Sequence, residues 1–231
     1  MAGSVRWSQG TAGAPELDLS TDRSERGDPG PDRTQPLARD AGITGGPWKN
    51  GRQRVNTDLL DLYGRGSQWC GEKVAGATAL DAPTPCDGWT VRDLLNHMLE
   101  TQRYFAGSAR GEAVSPPGQN PPKLLTQDPV EDFARARADV LHAFGQAGVL
   151  ARTGPSLGIA FADQLLHGWD LAVATGQDTA MPDGLAEDAY RSIHGLFTDE
   201  QRVGIFKPEL PVGIDATAQE RLLAYTGRAP G

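Results

Sequence analysis

The sequence predicts an all-α protein built on a four-helix bundle, and three observations carry that prediction. Apolar residues recur at helical spacing in four separate segments after Val55. No stretch alternates apolar and polar residues as a half-buried strand would. The connections between the apolar segments are rich in Pro and Gly, which end helices and turn the chain. Amphipathic helices joined in this way bury their apolar stripes against one another, and a bundle is the natural solution.

The first helix lies in "NTDLLDLYGRGSQWCGEKVA", where Leu59, Leu62, Tyr63, Trp69, Cys70 and Val74 fall close to helical spacing although Gly64 and Gly66 weaken it. Pro83 and Pro85 forbid its continuation. Thr90 followed by Asp93 resembles a capping box, so a second helix starts at Thr90, carries Val91, Leu94, Leu95, Met98 and Leu99 as core, and ends near Gly107. The loop "SPPGQNPPKL" leads to a third helix in "PVEDFARARADVLHAFGQAG", with Phe133, Val140, Leu141 and Phe144 as its stripe. A fourth runs from about Ser156 to Thr175 and stops at Gly176. "LAEDAYRSIHGLF" is a shorter helix, and the irregular tail ends in one more helical stretch. Residues 1–50, full of Gly, Pro, Ser and charge, read as a disordered or non-structural leader, and 51–231 as the folded domain.

Composition narrows the function. The chain has 22 Lys and Arg against 30 Asp and Glu, a net charge of -8, and no basic cluster, which excludes a general nucleic-acid binder. Cys70 and Cys86 are too few for a disulfide scaffold and fit a reducing compartment. No apolar run approaches about 18 residues, so no membrane span is expected. A cytoplasmic protein, monomer or homodimer, acting on small molecules is the expectation.

Only four histidines occur, and two follow an aspartate by four residues: Asp93 and His97 in "DLLNHMLE", Asp163 and His167 in "DQLLHGWDLA". On a helix such a pair shares one face, with Cβ atoms roughly 5–6 Å apart. Asp163 and His167 from one helix and His97 from another make a three-point site of the kind that binds a catalytic metal and leaves positions for water or substrate. The spacing is common, and satisfied core histidines would show it too. Asp93, at the third position of its helix, belongs to the cap. Asp170 could accept a hydrogen bond from a ligand imidazole or fix a helix end. His142 and His194 lack a carboxylate partner and read as structural or exposed; Cys86 reads as a packing residue and Trp89 and Trp169 as core.

The stretches "PTPCDGWTVRDLLNHM", "LLHGWDLAVATGQ" and "LLAYTGRAP", in that order over about residues 55–228, resemble the DinB/YfiT-like metalloprotein superfamily. The likeness is to the branch with the mycothiol-dependent maleylpyruvate isomerase N-terminal domain. That resemblance implies a bundle in an up-down-down-up arrangement and a divalent metal on His97, Asp163 and His167, with Asp163 standing where the isomerase has Glu. Zn²⁺ is the first expectation, and Ni²⁺ or Fe²⁺ suit the same ligands. It further implies S-transferase or isomerase chemistry on an electrophilic small molecule, with mycothiol as candidate cosubstrate, since metal coordination deprotonates a thiol whose free pKa is near about 8.5. The alternatives are a thiol-independent metal-dependent isomerase, cyclase or hydrolase, and a non-catalytic protein that sequesters a metal or ligand.

Overall fold

The computed structural model describes residues 48–202 and 205–229, and every described regular element is helical. The expected leader lies almost wholly outside the described residues; the first helix, α1 (Trp48–Gly76), already includes the last three of its positions. Three further long helices follow: α2 (Val91–Arg110), α3 (Pro129–Gly145) and α4 (Val149–Thr175). Shorter helices α5 (Leu185–Ile193), α6 (Asp199–Arg202) and α7 (Ala218–Tyr225) complete the order. No described helix is long and apolar enough to cross a membrane.

Local chemistry sets the boundaries. Thr90 and Asp93 form a reciprocal capping box: the Asp93 amide donates to Thr90 Oγ1 at 3.3 Å, and the Thr90 amide donates to Asp93 Oδ2 at 3.0 Å. Asp128 caps α3 through the Glu131 amide at 3.0 Å, with Pro129 following where no N–H is needed. α2 runs three residues past Gly107, because Gly107 is helical and Gly111, at φ 77°, is the residue that turns left-handed. α4 begins at Val149 rather than near Ser156. Pro155 sits in its second turn, where one missing N–H removes a single intrahelical bond, and buried Val149 and Leu157 hold both sides.

Contacts along the helices give their directions. From α1 to α4, Gly66 faces Phe161 and Leu165, and farther along Trp69 and Cys70 face Gly168, so the two are parallel. Between α1 and α3 the order reverses: Gly64 meets Leu141, Ser67 meets Arg137, and Gly71 meets Phe133. α2 and α3 are parallel, with Asn96 bonded to the Leu124 and Leu125 amides that lead into α3 and Arg110 paired to Asp139 near its end. α2 and α4 are antiparallel: His97 meets His167, and Thr101 one turn later lies beside Asp163 one turn earlier. The arrangement is therefore up-down-down-up, with α1 and α2 on the diagonal. α5 packs on α4 and α7 on α5, which brings the C-terminal segment back over one side of the bundle.

Two apolar clusters make the core. One joins Tyr63, Phe144, Phe161, Leu165 and Leu222; the other joins Cys70, Val91, Leu94, Met98, Phe133 and Leu171. Both involve α4, which explains why its sequence is apolar nearly all round.

Candidate metal centre

α2 and α4 present His97, Asp163 and His167 to one another across their antiparallel contact. The capping box fixes where α2 starts and hence the level at which His97, on its second turn, projects. On α4 Asp163 and His167 are one turn apart, and the ring of His167 meets that of His97 edge-on, with centroids 5.0 Å apart. One ligand-capable atom from each of the three residues falls within 4.8 Å of the others.

His167 lies between two carboxylates. Its Nε2 is 3.4 Å from Asp163 Oδ1, and its Nδ1 is 3.0 Å from Asp170 Oδ2. Burial disfavours the charged ring, but the negative charges and hydrogen bonds of Asp163 and Asp170 outweigh it and hold its pKa well above the ordinary histidine value. Asp163 shows the converse: burial would raise its pKa, and neighbouring His167 and His97 bring it below the usual carboxylate value. His97 is 5% exposed, and burial, with repulsion from His167, pushes its pKa down to about 4. It is thus neutral at pH 7, with Nδ1 buried and without a hydrogen-bond partner.

That orphaned nitrogen is the test of whether these residues fit a metal. A buried polar atom left unpaired is costly, and a neutral imidazole with an uncommitted nitrogen, beside a carboxylate and a second imidazole, is a donor set suited to a divalent first-row ion. The residues fit. A second cluster, Cys86 with His167 and Asp170, also comes within ligand distance. It is a poorer cradle, because Asp170 is already committed. Arg228 grips both its oxygens, Nε to Oδ1 at 2.9 Å and Nη2 to Oδ2 at 2.7 Å, and the Cys86 thiol donates to Oδ2 at 3.3 Å. Burial works against ionisation of Asp170, yet the Arg228 guanidinium beside it holds its pKa far below the usual range.

The two Asp-x-x-x-His steps therefore have different roles. Asp163 meets its histidine. Asp93 instead takes the Thr90 hydroxyl at 2.6 Å and the Thr90 amide at 3.0 Å, bonds that lower its pKa. His142 is exposed near the end of α3, with Gln146 for a partner, and exposed His194 packs beside Tyr190; neither reaches the centre.

Three residues at the centre escaped the sequence reading. Cys86 and Trp89 lie on one tight turn, closed by the Trp89 amide to the Cys86 carbonyl at 3.0 Å and passing through Gly88 at φ 77°. Cys86 packs against the second apolar cluster, as expected, and in addition donates its thiol to Asp170. Trp89 packs against the same cluster but is only half-buried: its ring lies 4.7 Å from that of His97, and its indole N–H donates to the Gln119 carbonyl at 3.0 Å. Arg228 arrives from past the end of α7. Trp169, by contrast, is buried as expected.

The centre opens into a cavity of about 990 Å³. Its walls come from α2, α4, the Cys86–Trp89 turn, the loop at Gln119 and the C-terminal segment around Phe206 and Arg228. The sequence profile of the family described as the mycothiol maleylpyruvate isomerase N-terminal domain matches residues 70–172, which span Cys86, His97 and the whole Asp163–Asp170 step. An uncharacterised protein of Mycobacterium tuberculosis, found in strains CDC 1551 / Oshkosh and ATCC 25618 / H37Rv, is 30% identical over 166 residues, or 66% of this chain and 86% of the relative. The chain belongs to the mycothiol maleylpyruvate isomerase N-terminal domain family. No solved structure matches it. Within the matched segment, His97 of α2 and Asp163 and His167 of α4 fall in one cluster. Arg228 lies beyond the matched family segment but beside the same cluster.

Proposed function

We propose that the protein is a metal-dependent transferase or isomerase that uses a low-molecular-weight thiol of the mycothiol type on an electrophilic small molecule. The observation that carries this reading is the convergence of His97, Asp163 and His167 at a cavity large enough for two small substrates. Three protein ligands leave coordination positions open. A divalent ion held there, Zn²⁺ first and Ni²⁺ or Fe²⁺ by the same ligand chemistry, would acidify a thiol at neutral pH.

The chain's own groups suit the remaining tasks. Asp170 fixes the His167 ring from behind, and the Trp89 face and Phe206 offer apolar surface that limits water at the reacting end. Asn120 and Gln119 add neutral hydrogen-bonding groups to the same cavity, as a sugar-bearing thiol needs.

The test is thiol consumption. Zinc- or nickel-loaded protein is incubated with mycothiol and a panel of activated small electrophiles, and adducts or isomerised products are read by mass spectrometry and chromatography. The reading expects conversion that needs both metal and thiol and that disappears in His167→Ala. Conversion equally fast without any thiol would instead support a metal-dependent isomerase, cyclase or hydrolase. Stoichiometric tight binding with no conversion of any panel member would support sequestration.

A further inference from the structure

α7 ends in a Gly-Arg step whose geometry is set by the backbone. Gly227 takes φ 75°, its amide bonds the Ala224 carbonyl at 2.9 Å, and the Arg228 amide bonds the Leu223 carbonyl at 2.8 Å. These are the two bonds of a glycine-terminated helix end, and they reverse the chain sharply. A side chain at Gly227 would also collide with the backbone of Lys207 and Pro208, so the segment after α6 and the end of α7 can close on each other only through a glycine. The reversal delivers Arg228 to Asp170, 58 residues earlier in the chain, with both its bonds made to that one carboxylate.

Asp170 is 1% exposed. A carboxylate so deeply buried needs an ionic partner or several donors to stay ionised in place. His167 and Cys86 each reach only Oδ2, whereas Arg228 alone reaches Oδ1 and so fixes the plane of the carboxylate. We infer that Arg228 is a positioning residue of the metal centre: it orients Asp170, and Asp170 in turn holds the His167 ring with Nδ1 behind and Nε2 turned toward Asp163. The inference deepens the proposed function and rests on reading His97, Asp163 and His167 as ligands. It also makes the C-terminal segment part of the centre, although none of its residues is a ligand.

Two readouts test it, and the first needs no metal. In wild-type protein the His167 Nδ1–H, enclosed by Asp170, should give a downfield, slowly exchanging proton resonance, assigned by its absence from His167→Ala. Arg228→Gln should lose that resonance to solvent exchange while keeping the helical circular dichroism of the wild type. The second readout is Co²⁺ affinity, which should fall about 10–100-fold in Arg228→Gln, the usual effect of losing an outer partner of a ligand. Arg228→Lys, which keeps the charge without the planar fork, should fall between the two. In an Asp170→Asn background Arg228→Gln should cost no further affinity, since the two act through one path. The inference is overturned if the proton resonance persists in folded Arg228→Gln, or if the losses from Asp170→Asn and Arg228→Gln simply multiply. Failure of the ligand reading looks different: His167→Ala would then keep full Co²⁺ affinity while the proton resonance still responds to Arg228→Gln.

Discussion

At the scale of single residues, the centre is governed by which lone pairs are already used. His97 is neutral at pH 7 because burial pushes its pKa to about 4, and Asp163 is ionised because its pKa lies below the ordinary carboxylate value. Burial favours neutral His167, but Asp163 and Asp170 keep it protonated well above the ordinary value, so an incoming metal must displace that proton. The sign follows directly. Below the raised pKa of His167 metal affinity should rise with pH, about tenfold per unit, and it should flatten above that pKa. Calorimetry in buffers of different ionisation enthalpy should show about one proton released per metal at pH 7; release of none would contradict the ion-pair picture. Asp93 and His167 separate on the same grounds. Asp93→Ala should cost about 0.5–2 kcal/mol in denaturant unfolding, as a lost cap does, and leave metal stoichiometry at one. His97→Ala or His167→Ala should abolish stoichiometric binding. If Asp93→Ala strips the metal and Asp163→Ala does not, the two steps have been assigned the wrong way round.

The spacing of the candidate ligands was legible because i, i+4 geometry is local, and so was the cap. Cys86, Trp89 and Arg228 were not. Their roles depend on a turn and a helix end whose directions in space no periodicity reports, and the 58-residue separation of Arg228 from Asp170 puts their pairing beyond local inference.

At the scale of elements, the α1–α4 contact explains Gly66, which weakens the helical pattern of α1, and Gly168 within α4. A Cβ at Gly66 would lie 2.8 Å from the Phe161 ring, and one at Gly168 would lie 2.7 Å from the Trp69 ring and 3.3 Å from Cys70 Sγ. Glycine thus lowers local helix propensity by about 1 kcal/mol and permits the two helices to approach. Gly168→Ala should therefore destabilise by about 1–3 kcal/mol, as overpacking does, despite its better propensity. Thermal or urea unfolding checks this, and a stabilised variant would show that the contact is looser than described. Because Gly168 sits between His167 and Trp169, the same substitution should also weaken metal binding. The stripes of the four helices could be read from sequence since periodicity is local. The starts of α1 and α4 could not: Pro155 mimics a break when tertiary burial of Val149 and Leu157 in fact carries the helix through it.

At the scale of the whole molecule, parallel α2 and α3 oblige residues 111–128 to travel the length of the bundle between them. That crossover is pinned where Asn96 Oδ1 accepts the Leu124 and Leu125 amides at 2.6 and 2.9 Å, and its Gln119 carbonyl holds Trp89 over His97. The C-terminal segment supplies the facing wall, latched by Lys207 to Asp87 at 2.8 Å and by Arg228 to Asp170. The bundle thus provides the candidate ligands, while two long connections shape the cavity in front of them. Family resemblance made the bundle and its order legible in the sequence. The cavity was not, because it arises between segments far apart in the chain and without helical period.

The proposed function requires this centre to bind a divalent metal and present it to a thiol, and Co²⁺-substituted protein reports on both steps at once. Titration with mycothiol at neutral pH should produce a sulfur-to-cobalt charge-transfer band in the near ultraviolet, because coordination lowers the pKa of the thiol. The band should persist in His142→Ala, which lies away from the centre, and vanish in His167→Ala. A cobalt spectrum of the wild-type protein that stays unmoved by mycothiol, bacillithiol and other small thiols at millimolar concentration would rule out thiol activation at this centre.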